Sequence, residues 1–128
     1  MSSISRVNFH PGQVVATWRL IYWHVGIVTE KWEDGEQVVI SCSGARKMVV
    51  EERMGIFSLG LPIVEKQFAS HLPVSTVLAR AREKLGKSYR LLDWNCEHFV
   101  CYAFDVPPSS PQLALAVAFL IGVFLIRN

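Results

Sequence analysis

The chain has 128 residues, about one small domain. Thirteen Lys and Arg against eleven Asp and Glu give a net charge of +2, too weak a field for a polyanion binder, and 51% hydrophobic residues argue against intrinsic disorder. Mean hydropathy is +0.28, and the excess is concentrated in the uncharged fourteen-residue run Leu113–Ile126, LALAVAFLIGVFLI.

His10-Pro11-Gly12-Gln13 is a turn signal, followed by Val14–Trp18, a β-branched and aromatic strand. Leu20–Thr29 reads as a second strand with His24 set among apolar residues. Asp34-Gly35 marks a hairpin, and Val38–Cys42 is its returning strand. Ser43–Lys47 turns into a further strand over Met48–Glu52, which completes an antiparallel meander.

The period then changes. Ser75 is placed to N-cap a helix running through Leu85, with Val77, Leu78, Ala81 and Leu85 on one face and Gly86 as its stop. A second helix runs from Cys96 to about Phe104, with Phe99, Val100, Ala103 and Phe104 at helical spacing. Strands followed by helices predict an α+β fold. Pro107–Gln112 is a stiff polar linker.

The reading therefore divides the chain into a domain over 1–105, a linker over 106–112 and a tail helix over 113–126. Fourteen helical residues span about 21 Å, short of the ~30 Å hydrocarbon core. With no polar face, the tail must be surrounded by protein or lipid. The expectation is a C-terminal membrane anchor, either a full span or a partial insertion, with the domain on the cytosolic face. A core helix and a partner-docking helix are the alternatives.

Cys42, Cys96 and Cys101 form no CxxC pair and no Cys/His metal spacing, so neither a metal nor a cofactor is expected. The segment MSSISRVNFHPGQ lacks the apolar core of a leader, which points to a reduced cytosolic setting. There an unpaired Cys raises a question of reactivity. With Asn95 or Asp93 as N-cap, Cys96 falls in the first turn of its helix, where the dipole and free N–H groups lower a thiol pKa. Cys101 lies among apolar residues and Cys42 ends a strand, so both read as structural.

A nucleophilic thiol needs a base. His98 is two residues along the same helix, about 200° round it, and reads as a helix-face residue that packs or bonds the backbone. His10 and His71 sit in turns or loops, each near a Pro. His24 remains, either as a satisfied core residue or as the partner of Cys96.

The segment Leu85–Val100, which ends in Asn95-Cys96-Glu97-His98-Phe99-Val100, resembles the Cys box of the lecithin:retinol acyltransferase family and its phospholipase/acyltransferase relatives. Tyr22-Trp23-His24-Val25-Gly26-Ile27-Val28 resembles the family's His box. Pro11-Gly12-Gln13 resembles its opening Pro-Gly-Asp, with Gln in place of Asp. The resemblance runs over about residues 8–126, with 44–74 poorly matched, and a C-terminal apolar anchor is also a family habit.

It implies a circularly permuted papain-like fold. Cys96 would be a nucleophile that takes a phospholipid acyl chain as a thioester, and His24 its general base. Water as acceptor would give phospholipase A activity, and an amine or lysophospholipid would give acyl transfer. The family's next strand supplies a second His that orients the first; here Ser41 occupies that place, able to hydrogen-bond a ring N–H but carrying no charge. The resemblance thus implies a catalytic set of Cys96, His24 and Ser41. A catalytically impaired adaptor or membrane-remodelling protein on the same fold is the alternative, with a thiol peptidase further behind.

The expected oxyanion donor is the Cys96 backbone N–H. Tyr22 and Tyr89 are either further donors or ordinary aromatic packing. Arg80, Arg82, Lys84, Lys87 and Arg90 are either a solvated face or a contact for anionic lipid headgroups. The expected partner is a phospholipid membrane, with no nucleic acid and a monomeric chain.

Overall fold

The computed structural model describes residues 8–127. The reading of the N-terminal segment as lacking a leader rests partly on residues 1–7, which lie outside them. Four strands form the expected meander: β1 (Val14–Trp18), β2 (Trp23–Glu33), β3 (Glu36–Ser43) and β4 (Met48–Arg53). Asp34 and Gly35 both have positive φ, 51° and 77°, and Glu33 pairs with Glu36 across them. This is the backbone of a two-residue hairpin turn whose twist matches that of its strands.

Leu20 and Ile21, expected in β2 from their apolar character, lie outside it. They cap the β1–β2 turn, each 87% exposed, with Leu20 at φ 68°. β2 begins at Trp23 instead and continues past Thr29 to the hairpin.

Two elements have no counterpart in the sequence reading. The short helix α1 (Met54–Ser58) follows β4 directly and buries Phe57. Strand β5 (Ile63–Lys66) then pairs antiparallel with β1, giving the five-stranded order β4-β3-β2-β1-β5. Five residues are too few to display a 3.6-residue period, so α1 left no pattern to read.

Helix α2 (Val74–Glu83) starts at Pro73 with no side-chain cap, so Ser75 lies inside the first turn rather than at the N-cap. It buries Val77, Leu78 and Ala81 as expected, but ends before Leu85, which is half-exposed. Helix α3 (Cys96–Phe104) has the expected bounds.

The sheet is covered on both faces. Val14, Ala16, Val25, Ile27, Ile40 and Cys42 point to the side that α2 and α3 cover, where they meet Val77, Leu78, Phe99 and Val100. Val15, Val28 and Val39 point to the other side, under Phe57. The period-2 alternation along each strand therefore sorts its side chains between two cores. The chain is α+β, with an antiparallel sheet and helices.

The last helix, α4 (Pro111–Arg127), has no buried residue, which removes the core-helix alternative. Its 17 residues correspond to about 25 Å. Among the described residues no helix is long and apolar enough to cross a membrane.

Candidate functional site

Asn95 caps α3. Its Oδ1 accepts from the backbone N–H groups of Glu97 (2.9 Å) and His98 (3.1 Å), and His98 Nδ1 accepts from Asn95 N–H at 3.2 Å. The two side chains form a reciprocal capping box. His98 thus serves the backbone of its own helix, and Cys96 is the first helical residue.

The β2–β3 ladder ends at Ile27–Ile40. Beyond it, the edge of β2 from Trp23 to Gly26 that faces β3 carries no strand pairing, and α3 begins there. The Cys96 thiol, 4% exposed, donates to the Trp23 carbonyl at 3.9 Å. Cys42 lies across the gap on β3, with its thiol donating to Trp94 O at 3.4 Å.

The expectation of an acidified thiol is overturned. Burial pushes the Cys96 thiol up to about 11. Hydrogen bonds to the thiolate from the Val25, Cys96 and Glu97 backbones pull it down, and the Glu97 carboxylate pushes it up. The helix-start donors are present, but loss of solvation outweighs them. Cys42 is pushed up to about 12, chiefly by burial, and Cys101 is raised for the same leading reason, in keeping with structural thiols.

His24, 3% exposed, lies against Phe57 with ring centroids 4.9 Å apart. Its Nε2 is 3.3 Å from Ser41 Oγ, while its Nδ1 is buried and has no hydrogen-bond partner. Burial, aided by the Arg19 charge, holds the imidazole down to about 3, so it is neutral at pH 7. Arg19 is fixed beside it by a hydrogen bond to the Phe57 carbonyl.

The structure therefore brings His24 and Ser41 together, and seats Cys96 beside the backbone that leads into His24. Among the described residues no hydrogen bond joins the Cys96 thiol to an imidazole. His24 belongs to the α1 side of the sheet and Cys96 to the α3 side.

Cys96 opens into a cavity of about 350 Å³ walled by Ile21, Tyr22, Tyr89 and Leu91, and by Leu113 and Ala116 of α4. Leu20, Ile21, Leu91 and Leu92 are strongly exposed around this end of the molecule. Burial and the neighbouring Cys96 raise Tyr22, and the same two causes lead in pushing Tyr89 up to about 12. Both rings are cavity walls that stay protonated at neutral pH.

The linker is not detached from the site, contrary to its reading as a spacer. Ser110 Oγ donates to Glu97 Oε1 at 2.6 Å and accepts from Asn95 Nδ2 at 3.1 Å. Gln112 N–H donates to the same Glu97 oxygen at 3.2 Å. The Gln112 amide also bonds both backbone groups of Trp23, accepting from N–H at 2.7 Å and donating to C=O at 2.8 Å. Residues just before an apolar helix gave no sequence signal for these contacts. The one readable feature was Ser110-Pro111, an N-cap followed by a Pro suited to the first helical position.

The basic run has partners within the chain. Arg80 donates twice to Tyr102 O, and Arg82 pairs with Glu30 and Glu51. Lys84 lies over the Tyr102 ring, Lys87 over Trp94, and Arg90 pairs with Asp93. Among the described residues, no three His, Cys, Asp or Glu side chains are grouped to hold a metal ion.

Comparison with protein families matches the lecithin retinol acyltransferase model over residues 7–104. No curated protein matches the chain.

Proposed function

This chain belongs to the lecithin retinol acyltransferase family, and from that premise we propose that it is a thiol acyltransferase or phospholipase A acting on phospholipid acyl chains. The observation that carries the proposal is the seat of Cys96: a helix-start thiol that opens into a mostly apolar cavity, with Asn95, Glu97, Ser110 and Gln112 as its polar lining, rimmed by exposed aliphatic side chains. An acyl chain fits such walls, and an ester carbonyl at the helix start meets the Cys96 backbone N–H, a donor suited to a developing oxyanion.

In this reading His24 is the general base and Ser41 its orienting partner. With the ring proton on Nε2 and Ser41 Oγ accepting it, Nδ1 keeps its lone pair. Leaving an acceptor unpaired in the interior is less costly than leaving an N–H there. Nδ1 takes the Cys96 proton as sulfur attacks the ester carbonyl. The carbonyl–oxygen bond then breaks, the departing lysophospholipid oxygen receives that proton, and a thioester remains. Water, an amine or a lysophospholipid releases the acyl group by the reverse sequence. For that transfer the His24 ring has to leave its contact with Phe57 and reach the thiol past the end of the β2–β3 ladder, on the permuted papain-like plan in which the His strand precedes the Cys helix.

In the same reading α4 enters the bilayer as an anchor on its cytosolic side and keeps the cavity mouth at the lipid surface. At about 25 Å it is shorter than the ~30 Å apolar core, so the bilayer thins around it or the helix inserts partway.

The full chain, incubated with phosphatidylcholine vesicles, is expected to yield a hydroxylamine-labile acyl adduct on Cys96, detected by mass spectrometry. Cys96→Ala is expected to abolish it, and His24→Ala to reduce it by at least ~100-fold. An adduct that survives Cys96→Ala would sink the proposal. The neutral Ser41 partner, together with His24 near 3 and Cys96 near 11, favours a second reading: a catalytically impaired adaptor or membrane-remodelling protein. Vesicle binding with no adduct on the wild-type chain selects it.

A further inference from the structure

We infer that Gln112, in the first turn of α4, is a positioning residue of the Cys96 site: its amide closes the free edge of β2 at Trp23 and takes the nearer place on the carbonyl that also accepts from the thiol. This rests on the thiol chemistry proposed for Cys96. In an antiparallel strand the N–H and C=O of one residue point to the same side. The Gln112 side chain meets both at Trp23, at 2.7 and 2.8 Å, and so substitutes for a neighbouring strand where β3 has departed.

The Trp23 carbonyl is also the acceptor for the Cys96 thiol, at 3.9 Å. The amide therefore holds the short contact and the thiol the long one. A hydrogen bond from S–H stabilises the neutral thiol and opposes its loss of a proton. While Gln112 occupies the carbonyl, that opposing bond stays weak.

Gln112 is itself fixed from two directions. Its backbone N–H donates to Glu97, the residue after the nucleophile, and Ser110 ties the same carboxylate to Asn95. The helix that supplies one wall of the cavity is thereby registered against both the Cys helix and the His strand.

The test uses the purified full chain in detergent micelles and the variant Gln112→Met, which keeps the side-chain length and removes both amide functions. The rate of iodoacetamide modification of Cys96 is followed by peptide mass spectrometry from pH 7 to pH 10, below its midpoint, with Cys101 as an internal reference. The expected result is a Cys96 modification rate about three- to ten-fold lower at each pH, which corresponds to an upward shift of its midpoint by about half to one pH unit, the size of one ordinary hydrogen bond. The Cys101 rate is expected to stay unchanged.

A merely structural role gives the opposite sign, because loosening the strap hydrates the thiol and lowers its midpoint. An unchanged or lower midpoint in Gln112→Met overturns the inference. If that variant does not fold, Ser110→Ala, which releases the strap two residues earlier, decides in the same way, with a smaller upward shift expected. Alkylation requires no acyl transfer, so failure of the acyl-adduct experiment leaves this outcome separately readable.

Discussion

The two faces of the sheet are built from the same alternating strands yet hold their polar groups differently. On the α3 face, Cys96 lies within a broad apolar cluster that includes Phe99, Val100, Ile27 and Ile40, and its hydrogen-bond partners are backbone groups. On the α1 face, the apolar cluster is small, and His24, Ser41 and Thr17 are buried beside it under a five-residue helix. One face is stabilised by aliphatic packing. The other depends on an imidazole staying neutral. A thiol on the first and an imidazole on the second can act together only at the open end of the β2–β3 ladder, so the site's chemistry depends on both faces at once.

The largest effects expected from that contrast come from the two most deeply buried phenylalanines, Phe57 and Phe99. Phe99→Ala, on the α3 face, is expected to destabilise the fold by about 3–5 kcal/mol, as measured by urea unfolding. Phe57→Ala removes a ring of the same size, but from a smaller cluster that can take up water, so about 3 kcal/mol is expected. The two variants should separate on a second measurement: only Phe57→Ala should bring the His24 imidazole back toward its ordinary range near 6.5, because only it hydrates the ring. A His24 resonance that titrates identically in both variants would dissolve the distinction between the faces.

Acidification should act on the α1 face first. His24 has a folded pKa of about 3, against roughly 6.5 unfolded. Between these values the unfolded chain binds the extra proton, so stability falls as pH drops below about 6.5 and continues to fall toward 3. By pH 4 the loss attributable to this one group is about 3 kcal/mol, after integration of the shift. Urea midpoints measured from pH 7 to pH 4 should show the decline, and His24→Gln should flatten it. A wild-type profile that is already flat would mean that the ring is hydrated.

The two faces were also unequally legible in the sequence. The capping residues, the apolar periodicity and Cys96 at a helix start are local features of α3, and its bounds match the sequence reading. The alternation in β1–β4 was equally local. α1 was hidden by its shortness, and β5 pairs back to β1 across roughly fifty residues, so neither left a local signature. Burial is not local either: a Cys at a helix N-terminus reads as activated until the surrounding core pushes it the other way. For the same reason the basic run read as a free patch, because its acceptors on β2, β4 and α3 are distant in sequence. The Ser110 and Gln112 contacts depended on where a linker folds back.

The smallest effect expected is at Ser41, and it tests whether this residue does more than fill space. Ser41→Ala leaves the volume almost unchanged and removes the oxygen 3.3 Å from His24 Nε2. The expected cost is about 1 kcal/mol, the worth of one neutral hydrogen bond that then leaves a buried partner unpaired. Cys96 and the α3 face should be unaffected. If the Nε2–H tautomer is held by Ser41, then Nδ1 is the nitrogen that bears the lone pair, and the variant should allow the Nδ1–H form to appear in the ¹⁵N spectrum of the imidazole. Ser41→Asn offers a larger acceptor at the same place and should restore the single tautomer wherever it fits under Phe57. A ring that already shows both tautomers in the wild-type chain would leave Ser41 as packing, and would remove the orienting group from the proposed acyl-transfer site.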